Sequence, residues 1–312
     1  MDNRKLLHLV ENEYMISIQT CEQLRSRILG THFILTDTSG QKYLLKRYSQ
    51  DYEMVRIETV WNVCRCLKNS EILISEMVRV GEKINTYVMA RNGIYILYKY
   101  IDGTIVTYER TREVGELLCK VHKSLESIPY NCDSTQARMR RAYEEIKEEK
   151  RSSFGDFMGD QAWRRMVDCI NNEDACGYSL IHGDFNRSNI ITDVTGNIGI
   201  LDFDELRLGN REEDVAAWVF SALYSEGTIK YDHAEDICEF LKGYYRTTHI
   251  KGVQWKRLQS YLHKMCAMYL AERGLNFNYL KRHKSTFKFL KNLVDLISDD
   301  DICAKIYANS NK

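Results

Sequence analysis

The chain has 312 residues, enough for roughly two domain-sized units, and 44% of them are hydrophobic, which allows each unit a packed core. Lys and Arg together number 44, and so do Asp and Glu, so the formal net charge is zero. No overall positive field therefore draws the chain to nucleic acid or anionic lipid, and any charged partner must be met by a local patch. This composition excludes a disordered or disulfide-stapled chain.

The ten cysteines are scattered along the sequence, and no cleavable signal precedes them. We expect reduced thiols and a cytoplasmic protein. No apolar run approaches the roughly eighteen residues of a membrane-spanning helix, so membrane insertion is not expected.

The first hundred residues are predicted to be rich in β-structure. Two runs of β-branched and aromatic residues, Thr31 to Thr36 and Lys42 to Tyr48, flank the turn-forming Asp37 to Gly40 and predict a hairpin. A second pair of runs, Asn85 to Ala90 and Ile94 to Tyr100, flanks an Asn-Gly dipeptide, which tolerates the positive φ angles of a tight turn.

The segment between the hairpins, Tyr52 to Lys68, places its apolar residues on one face of a helix. After Gly103 apolar residues recur at steps of three and four from Val114 to Ile128, so a mostly helical region begins there. The other predicted helices are Arg138 to Arg151, Asp214 to Tyr224, His233 to Tyr245, Trp255 to Leu270 and Lys284 to Ile297. Only residues 178 to 202, with two short β runs, interrupt them. We therefore predict a small mixed α/β region at residues 1–102 and a larger helical region at 103–312.

The segment richest in chemical information lies between residues 180 and 204, where apolar strands flank polar loops. Asp184 begins one loop, Asn189 follows on the same connection, and the next hairpin returns Asp202 to the same side. Mg²⁺ prefers oxygen ligands and keeps waters and phosphates as its others, so Asn189 and Asp202 suit a metal that carries a nucleoside triphosphate. Asp184 is left for the substrate.

His182-Gly183-Asp184, then Asn189, then Asp202-Phe203-Asp204 resembles the aminoglycoside phosphotransferase and choline kinase family, with its spore-coat kinase-like branch the nearest. The resemblance covers most of the chain. It implies a two-lobed, protein-kinase-like α+β fold, with a small antiparallel-sheet lobe carrying one main helix and a larger helical lobe. It implies that Asp184 orients the substrate hydroxyl and takes its proton, that Asn189 and Asp202 bind Mg²⁺, and that His182 anchors the loop.

The resemblance also implies that residues 1–102 bind the nucleotide and that residues 103–312 carry catalysis and substrate binding. Lys46 would reach the α and β phosphates of the nucleotide, with Glu58 on the next helix as its ion-pair partner and Glu53 as the alternative. Tyr98 to Gly103, including Tyr100, would be the hinge whose backbone holds the edge of the nucleobase.

Three further residues are candidates. His122 matches a histidine near the end of the helix that follows the hinge in the family, and Asp214 matches an aspartate that braces the catalytic loop. Asp204 would contact metal-bound water or substrate, or else would cap the segment after it.

The sequence thus predicts an ATP- or GTP-dependent, Mg²⁺-dependent kinase that phosphorylates a hydroxyl of an aminoglycoside-like antibiotic or a small metabolite. No G-x-G-x-x-G precedes Lys46, where only Gly30 and Gly40 occur, which argues against a protein kinase more than against phosphotransfer. A catalytically idle nucleotide-binding scaffold and a protein Ser/Thr kinase remain the alternatives. A cationic acceptor would need an acidic wall beside Asp184, for which Glu205 and Glu272 are candidates, and the oligomeric state stays open.

Overall fold

A computed structural model of the chain describes residues 3–24, 31–81, 86–130, 133–147, 153–172, 178–225 and 227–310, which form the predicted mixture of helices and strands. The chain divides into two compact units. Unit 1 comprises Met1–Thr104, Ile128–Asn131 and Ile191–Asp204, and unit 2 comprises Ile105–Ser127, Cys132–Ile190 and Glu205–Lys312. Because unit 1 includes residues from three parts of the sequence, the predicted boundary between residues 102 and 103 stays a prediction.

The first part of the chain contains two helices, α1 (Asn3–Tyr14) and α2 (Met54–Asn69). Its strands are β1 (Ile18–Leu24), β2 (Thr31–Asp37), β3 (Lys42–Tyr48), β4 (Leu73–Ile74), β5 (Tyr87–Ala90), β6 (Gly93–Lys99) and β7 (Gly103–Ile105). Five of these strands form an antiparallel sheet in the order β1-β2-β3-β6-β5.

Both predicted hairpins are confirmed. In the first, Leu35 of β2 lies opposite Tyr43 of β3, and Gly40 in the turn has a φ of 87°. In the second, Ala90 lies opposite Gly93, so two residues make the turn. Asn85, the first residue predicted for that hairpin, lies outside the described residues, as does Gly30.

The core of unit 1 lies between α1 and one face of this sheet. The hydroxyl of Tyr14 donates a hydrogen bond to the carbonyl oxygen of Tyr95 at 3.1 Å and so ties the helix to β6. The buried residues that share this core are Leu6, Val10, Tyr14, Phe33, Leu35, Leu45, Val80, Val88, Tyr95 and Leu97. Helix α1 and strand β1 were not predicted from the sequence.

The second part of the chain is mostly helical, as expected. Its helices are α3 (Thr111–Leu125), α4 (Thr135–Ile146), α5 (Ser153–Asn171), α6 (Arg211–Leu223), α7 (Ala234–Tyr245), α8 (Gly252–Gly274), α9 (Phe277–Leu280), α10 (Lys284–Ser298) and α11 (Ile302–Ser310). The predicted helices are confirmed apart from residues 148–151, which lie outside the described residues. Helices α5, α9 and α11 were not predicted. Across the described ranges, every helix is too short or too polar to traverse a bilayer.

The short strands of this part are β8 (Ser179–Ile181), β9 (Ile190–Asp193), β10 (Ile198–Ile200), β11 (Arg207–Gly209), β12 (Tyr224–Ser225) and β13 (Thr228–Ile229). β8 pairs with β11, and β9 and β10 belong to a sheet of order β4-β10-β9-β7. The loop between β8 and β9 and the segment between β10 and β11 therefore carry the predicted site residues, each anchored at both ends by a strand.

Helices α3 and α7 pack with their backbones in close contact. A Cβ atom added at Gly115 would lie 2.1 Å from the carbonyl oxygen of Phe240, and one added at Gly243 would lie 2.1 Å from that of Arg112. Only glycine permits so close an approach at either position. The packing brings His122 of α3 to the hydroxyl of Tyr244 on α7, at 3.0 Å from its Nδ1.

Candidate active site

Lys46 lies at the centre of a charged cluster in unit 1. Its side chain is 6% exposed, and its Nζ donates to Oδ1 of Asp202 at 2.8 Å and to Oδ2 of Asp204 at 3.0 Å. Burial alone would lower the pKa of Lys46, but the two carboxylates, Asp204 foremost, raise it above its ordinary value. The ammonium is therefore charged at neutral pH and is held by two carboxylates, although burial raises the pKa of Asp204.

Asp202 has an unusual backbone conformation in this cluster. Its φ is +62°, the left-handed region, which costs a residue with a Cβ about 1–2 kcal/mol. Such strain persists where the surroundings hold it. Here Oδ1 of Asp202 accepts from Lys46 and from the backbone N–H of Asp204 at 3.4 Å. The Asp202 side chain is nevertheless 42% exposed, which leaves room for a further ligand.

The predicted pairing of Lys46 with Glu58 is wrong in this structure. The buried face of α2 carries Ile57, Val60, Val63, Cys64 and Leu67. Glu58 follows Ile57 by one residue, which is about 100° around the helix, and it is exposed to solvent. Glu53 is also exposed, at the N-cap position of α2. The helix thus presents apolar side chains, and not a carboxylate, to the interior of unit 1.

The two tyrosines predicted for the hinge differ in their surroundings. Tyr98 is buried within β6, and its ring centre lies 5.4 Å from Nζ of Lys46, so its side chain belongs to the Lys46 cluster. Burial raises the pKa of Tyr98 well above its ordinary value, so the phenol stays neutral. Tyr100 lies past the end of β6, where its N–H donates to the carbonyl of Lys42 at 3.1 Å.

Asp184 and Asn189 are brought together in unit 2, as the sequence predicted. Nδ2 of Asn189 donates to Oδ2 of Asp184 at 3.0 Å and to its carbonyl oxygen at 2.9 Å. Nδ2 of Asn186 donates to the other carboxylate oxygen at 2.9 Å. Burial raises the pKa of Asp184, although His182 and the two amides lower it. Neutral donors thus orient the carboxylate without cancelling its charge.

Gly183 sets the path of this loop. Its φ is +83°, and an added Cβ would lie 2.0 Å from the carbonyl oxygen of Glu205 and 2.4 Å from Nη1 of Arg207. Nη1 of Arg207 in turn donates to the carbonyl of Gly183 at 2.6 Å. The glycine of the His-Gly-Asp run is therefore required both by its backbone conformation and by the lack of space for a side chain.

Asp214 braces the same loop, which confirms the expectation for this residue. Its two oxygens accept the backbone N–H groups of His182 at 2.9 Å and of Gly183 at 2.8 Å, and Nε2 of His122 lies 2.9 Å from Oδ2. Burial alone would raise the pKa of Asp214, but hydrogen bonding and charge from His122, with His182 and Arg207, leave it below its ordinary value. His182 is fully buried, and its Nδ1 accepts the N–H of Asp184 at 3.2 Å.

A buried polar network beneath Gly183 was missed by the sequence analysis. Nε of Arg207 donates to Oγ1 of Thr135 at 2.8 Å, Thr135 donates to Oε2 of Glu213 at 2.5 Å, and Nζ of Lys264 lies 3.5 Å from Oε1 of Glu213. It connects α4, α6, α8 and β11 to the loop that holds Asp184. No sequence signal indicates it, because its members lie far apart in the chain and meet only after folding.

The two side chains predicted to bind magnesium, an amide and a carboxylate, carry oxygen donors of the kind that Mg²⁺ accepts. Within the described ranges no group of three or more His, Cys, Asp and Glu side chains could hold a metal. A nucleotide-borne Mg²⁺ needs few protein ligands, since phosphates and waters supply the rest. In unit 2, Asn189 donates to Asp184 through Nδ2, so Oδ1 is the atom of this amide that could accept a cation. In unit 1, the Asp202 side chain is 42% exposed.

Known proteins resemble this chain in sequence profile and in fold. The profile of the phosphotransferase enzyme family (APH) matches residues 20–246. The chain belongs to this family. No curated protein matches the chain at a significant level.

Solved structures of similar fold include several kinases. The amicoumacin kinase hAmiN, in complex with AMP-PNP, Ca²⁺ and Ami, has a TM-score of 0.74 and 16% identity, with 96% of this chain and 94% of that chain covered. The microcompartment-associated aminopropanol kinase has a TM-score of 0.67 and 14% identity, covering 99% and 98%. Choline kinase LicA from Streptococcus pneumoniae has a TM-score of 0.63 and 12% identity, covering 95% and 98%. The predicted kinase-like fold of this phosphotransferase family member is confirmed.

Proposed function

We propose that this phosphotransferase is an ATP- or GTP-dependent kinase that transfers the γ-phosphoryl group to a hydroxyl of a small molecule. The observation that carries the proposal is the loop of unit 2, where Asp184 is oriented by two amides and Asp214 fixes the loop backbone. Such preorganisation suits a reaction that depends on positioning and electrostatics more than on covalent chemistry.

Asp184 is the group that we place next to the acceptor hydroxyl. Burial raises the pKa of Asp184, but a carboxylate is a weak base toward a free alcohol. Asp184 therefore orients the hydroxyl first and takes its proton late, as the bond to phosphorus forms. Asn186 and Asn189 keep the carboxylate aimed while leaving its charge in place.

The nucleotide phosphates are assigned to Lys46, with Asn189 and Asp202 as the protein ligands for the accompanying Mg²⁺. When bound, Mg²⁺ neutralises charge on the phosphates. Lys46 supplies a permanent positive charge for the same oxygens. We expect the edge of the nucleobase to bind the backbone that follows Tyr100. The backbone N–H groups of Lys99 and Tyr100 already donate to the carbonyl oxygens of Glu76 and Lys42, at 2.8 and 3.1 Å.

An amine-bearing acceptor is favoured by the charges around Asp184. Arg138 bridges two carboxylates, with Nη1 2.6 Å from Glu205 and Nη2 2.8 Å from Glu272. One guanidinium cannot neutralise both, so the triad keeps a net negative charge, and the backbone of Glu205 abuts Gly183. The structural relatives are named for amicoumacin, aminopropanol and choline. We therefore propose an amino alcohol or an aminoglycoside-like antibiotic as the acceptor.

Two alternatives are weaker. A catalytically idle scaffold would have no need of the oriented carboxylate at Asp184. A protein kinase is disfavoured by the lack of a glycine-rich sequence before Lys46. We also infer a cytoplasmic location, supported by eight free cysteines among the described residues.

The test mixes the purified chain with Mg-ATP or Mg-GTP and a panel of amino alcohols, aminoglycosides and neutral sugars, and detects acceptors that gain the mass of one phosphoryl group. We expect an amine-bearing alcohol to be phosphorylated and the same reaction to be lost in Asp184→Ala. Nucleotide binding without any turnover would support the scaffold instead, and labelling of polypeptide alone would support the protein kinase.

A further inference from the structure

Asp204 has a place in unit 1 that the roles above leave unassigned. Its Oδ2 accepts from Nζ of Lys46 at 3.0 Å, and its Oδ1 accepts from the hydroxyl of Tyr48 at 2.8 Å. Lys46 and Tyr48 are two residues apart on β3, so their side chains leave the same face of the sheet. Because each carboxylate oxygen has its own donor, Asp204 is held at both ends by a single rigid strand.

A buried ammonium requires a nearby negative charge, since burial without one is strongly unfavourable. Protein kinases meet this need with a glutamate on the helix that follows the lysine strand. In unit 1 the corresponding helix, α2, directs Glu58 to solvent. The charges that compensate Lys46 come instead from Asp202 and Asp204, more than 150 positions away in sequence.

We propose that Asp204 is the positioning residue that holds Lys46 ready for the nucleotide phosphates, in the place of a helix glutamate. The inference rests on the proposed function, in which Asp202 serves the divalent cation. Lys46 then keeps one carboxylate partner, and Asp204 is that partner because Tyr48 fixes it. Tyr48 supports this role by donating a hydrogen bond to Asp204.

A competing role for Asp204 is that of a further metal ligand. Both of its oxygens already face donors of β3, which favours the positioning role. The two roles differ in one measurable respect. A metal ligand affects nucleotide binding whether or not Lys46 is present, whereas a residue that acts through Lys46 affects it only while Lys46 is there.

The experiment measures ADP affinity by calorimetry, once with Mg²⁺ and once in EDTA, for the wild type, Asp204→Asn, Lys46→Ala and the double variant. We expect Asp204→Asn to weaken ADP binding on the order of tenfold with Mg²⁺, as for loss of a charge-assisted hydrogen bond. In EDTA the loss should be smaller, because Asp202 then has no cation to bind and still pairs with Lys46. In the Lys46→Ala background the same change should have no further effect, because the residue through which it acts is gone. Glu22→Gln, which removes an exposed carboxylate from β1 of the same sheet, is the matched control and should bind ADP normally.

The same four proteins give a second readout without nucleotide. If Asp204 pairs with Lys46, the two substitutions should be non-additive in the midpoint of urea unfolding, whereas two independent structural roles would add. Tyr48→Phe removes the second donor and should weaken ADP binding in the same direction by a smaller factor. Should Asp204→Asn fail to fold, Tyr48→Phe combined with Lys46→Ala provides the same cycle.

Two results would overturn the inference: full additivity with Lys46→Ala, or weakened binding in Glu58→Gln but not in Asp204→Asn. The proposed function fails separately, if the wild type binds neither ATP nor GTP and phosphorylates no acceptor. A wild type that binds ADP through Lys46, with affinity unchanged by Asp204→Asn, would contradict only the inference.

Discussion

The two polar clusters hold their central side chains by different means. In unit 1, Lys46 is fixed by two carboxylates, whereas in unit 2 Asp184 is fixed by the neutral amides of Asn186 and Asn189. A lysine that is paired with carboxylates can exchange them for the negatively charged groups of a ligand. Neutral donors orient a carboxylate and leave its negative charge uncompensated. The first arrangement suits a residue that must take up phosphates, and the second suits a residue that must stay available for a proton.

The largest effect that separates the two clusters is expected from Asp184→Ala. Turnover of whichever acceptor the panel identifies should fall about 10³-fold or more, because the group that orients the hydroxyl is gone. Nucleotide affinity should be almost unchanged, since Lys46 is untouched. Steady-state kinetics and calorimetry measure the two quantities, with the exposed Asp168→Asn as a control. Equal losses of turnover and nucleotide affinity would remove the distinction between the clusters.

Gly183→Ala tests whether the loop backbone is as confined as its surroundings indicate. We expect a loss of about 4 kcal/mol in the free energy of unfolding, because the new methyl group would overlap the Glu205 carbonyl. Gly196→Ala is the matched control. Its φ of +89° is similar but no atom lies within 4 Å of the added Cβ, so only the backbone strain of about 1 kcal/mol applies. Similar losses in the two variants, measured by urea unfolding, would contradict the expected overlap.

The lowered pKa of Asp214 leads us to expect that its contribution to stability is lost at acidic pH. Its pKa in the folded protein lies below the ordinary 3.8, so its stabilising effect is complete above that value and is lost as the pH falls through the lowered pKa. The gap in unfolding free energy between the wild type and Asp214→Asn should be about 3 kcal/mol at pH 7. The gap should narrow below pH 3.8 in urea titrations at a series of pH values. A gap that stays constant down to pH 3 would show that the charge of Asp214 does not matter.

A smaller effect is expected from Asn186→Ala, which removes one of the two amides that aim Asp184. The maximal rate should fall about tenfold, as for the loss of one oriented hydrogen bond, while the affinity for nucleotide stays the same. Asn197→Ala, in an exposed turn, is the control. If the rate is unchanged, Asn189 alone is sufficient to orient Asp184.

Elements with a strong local signal were predicted well. The β2–β3 and β5–β6 hairpins follow from β-branched runs and glycine-containing turns, and Asp184 and Asn189 are close because five residues of one loop separate them. Helix α5 was missed because Gly159, with a φ of +70°, interrupts its helical pattern. Such positions depend on packing that local sequence does not reveal.

The error at Glu58 has a different cause. Choosing a partner for Lys46 on α2 required the phase of that helix to within one residue, and Ile57, not Glu58, faces inward. The real partners arrive with the segment 191–204, which returns to unit 1 from far along the chain. Residue spacing cannot show which distant loop supplies a compensating charge. The pairing of Lys46 with Asp202 and Asp204 therefore could not be predicted from the sequence, and neither could the network of Arg207, Thr135 and Glu213.

The paired glycines of α3 and α7 have a practical consequence for redesign. With backbone against backbone at Gly115 and Gly243, neither helix can slide or rotate by one residue without a steric clash, so the register that presents His122 to Asp214 is locked. A laboratory library that seeks new acceptors should therefore leave these two helices unchanged. Under the proposed function, diversity is better placed around Arg138, Glu205 and Glu272, whose ion pairs lie outside the contact between α3 and α7.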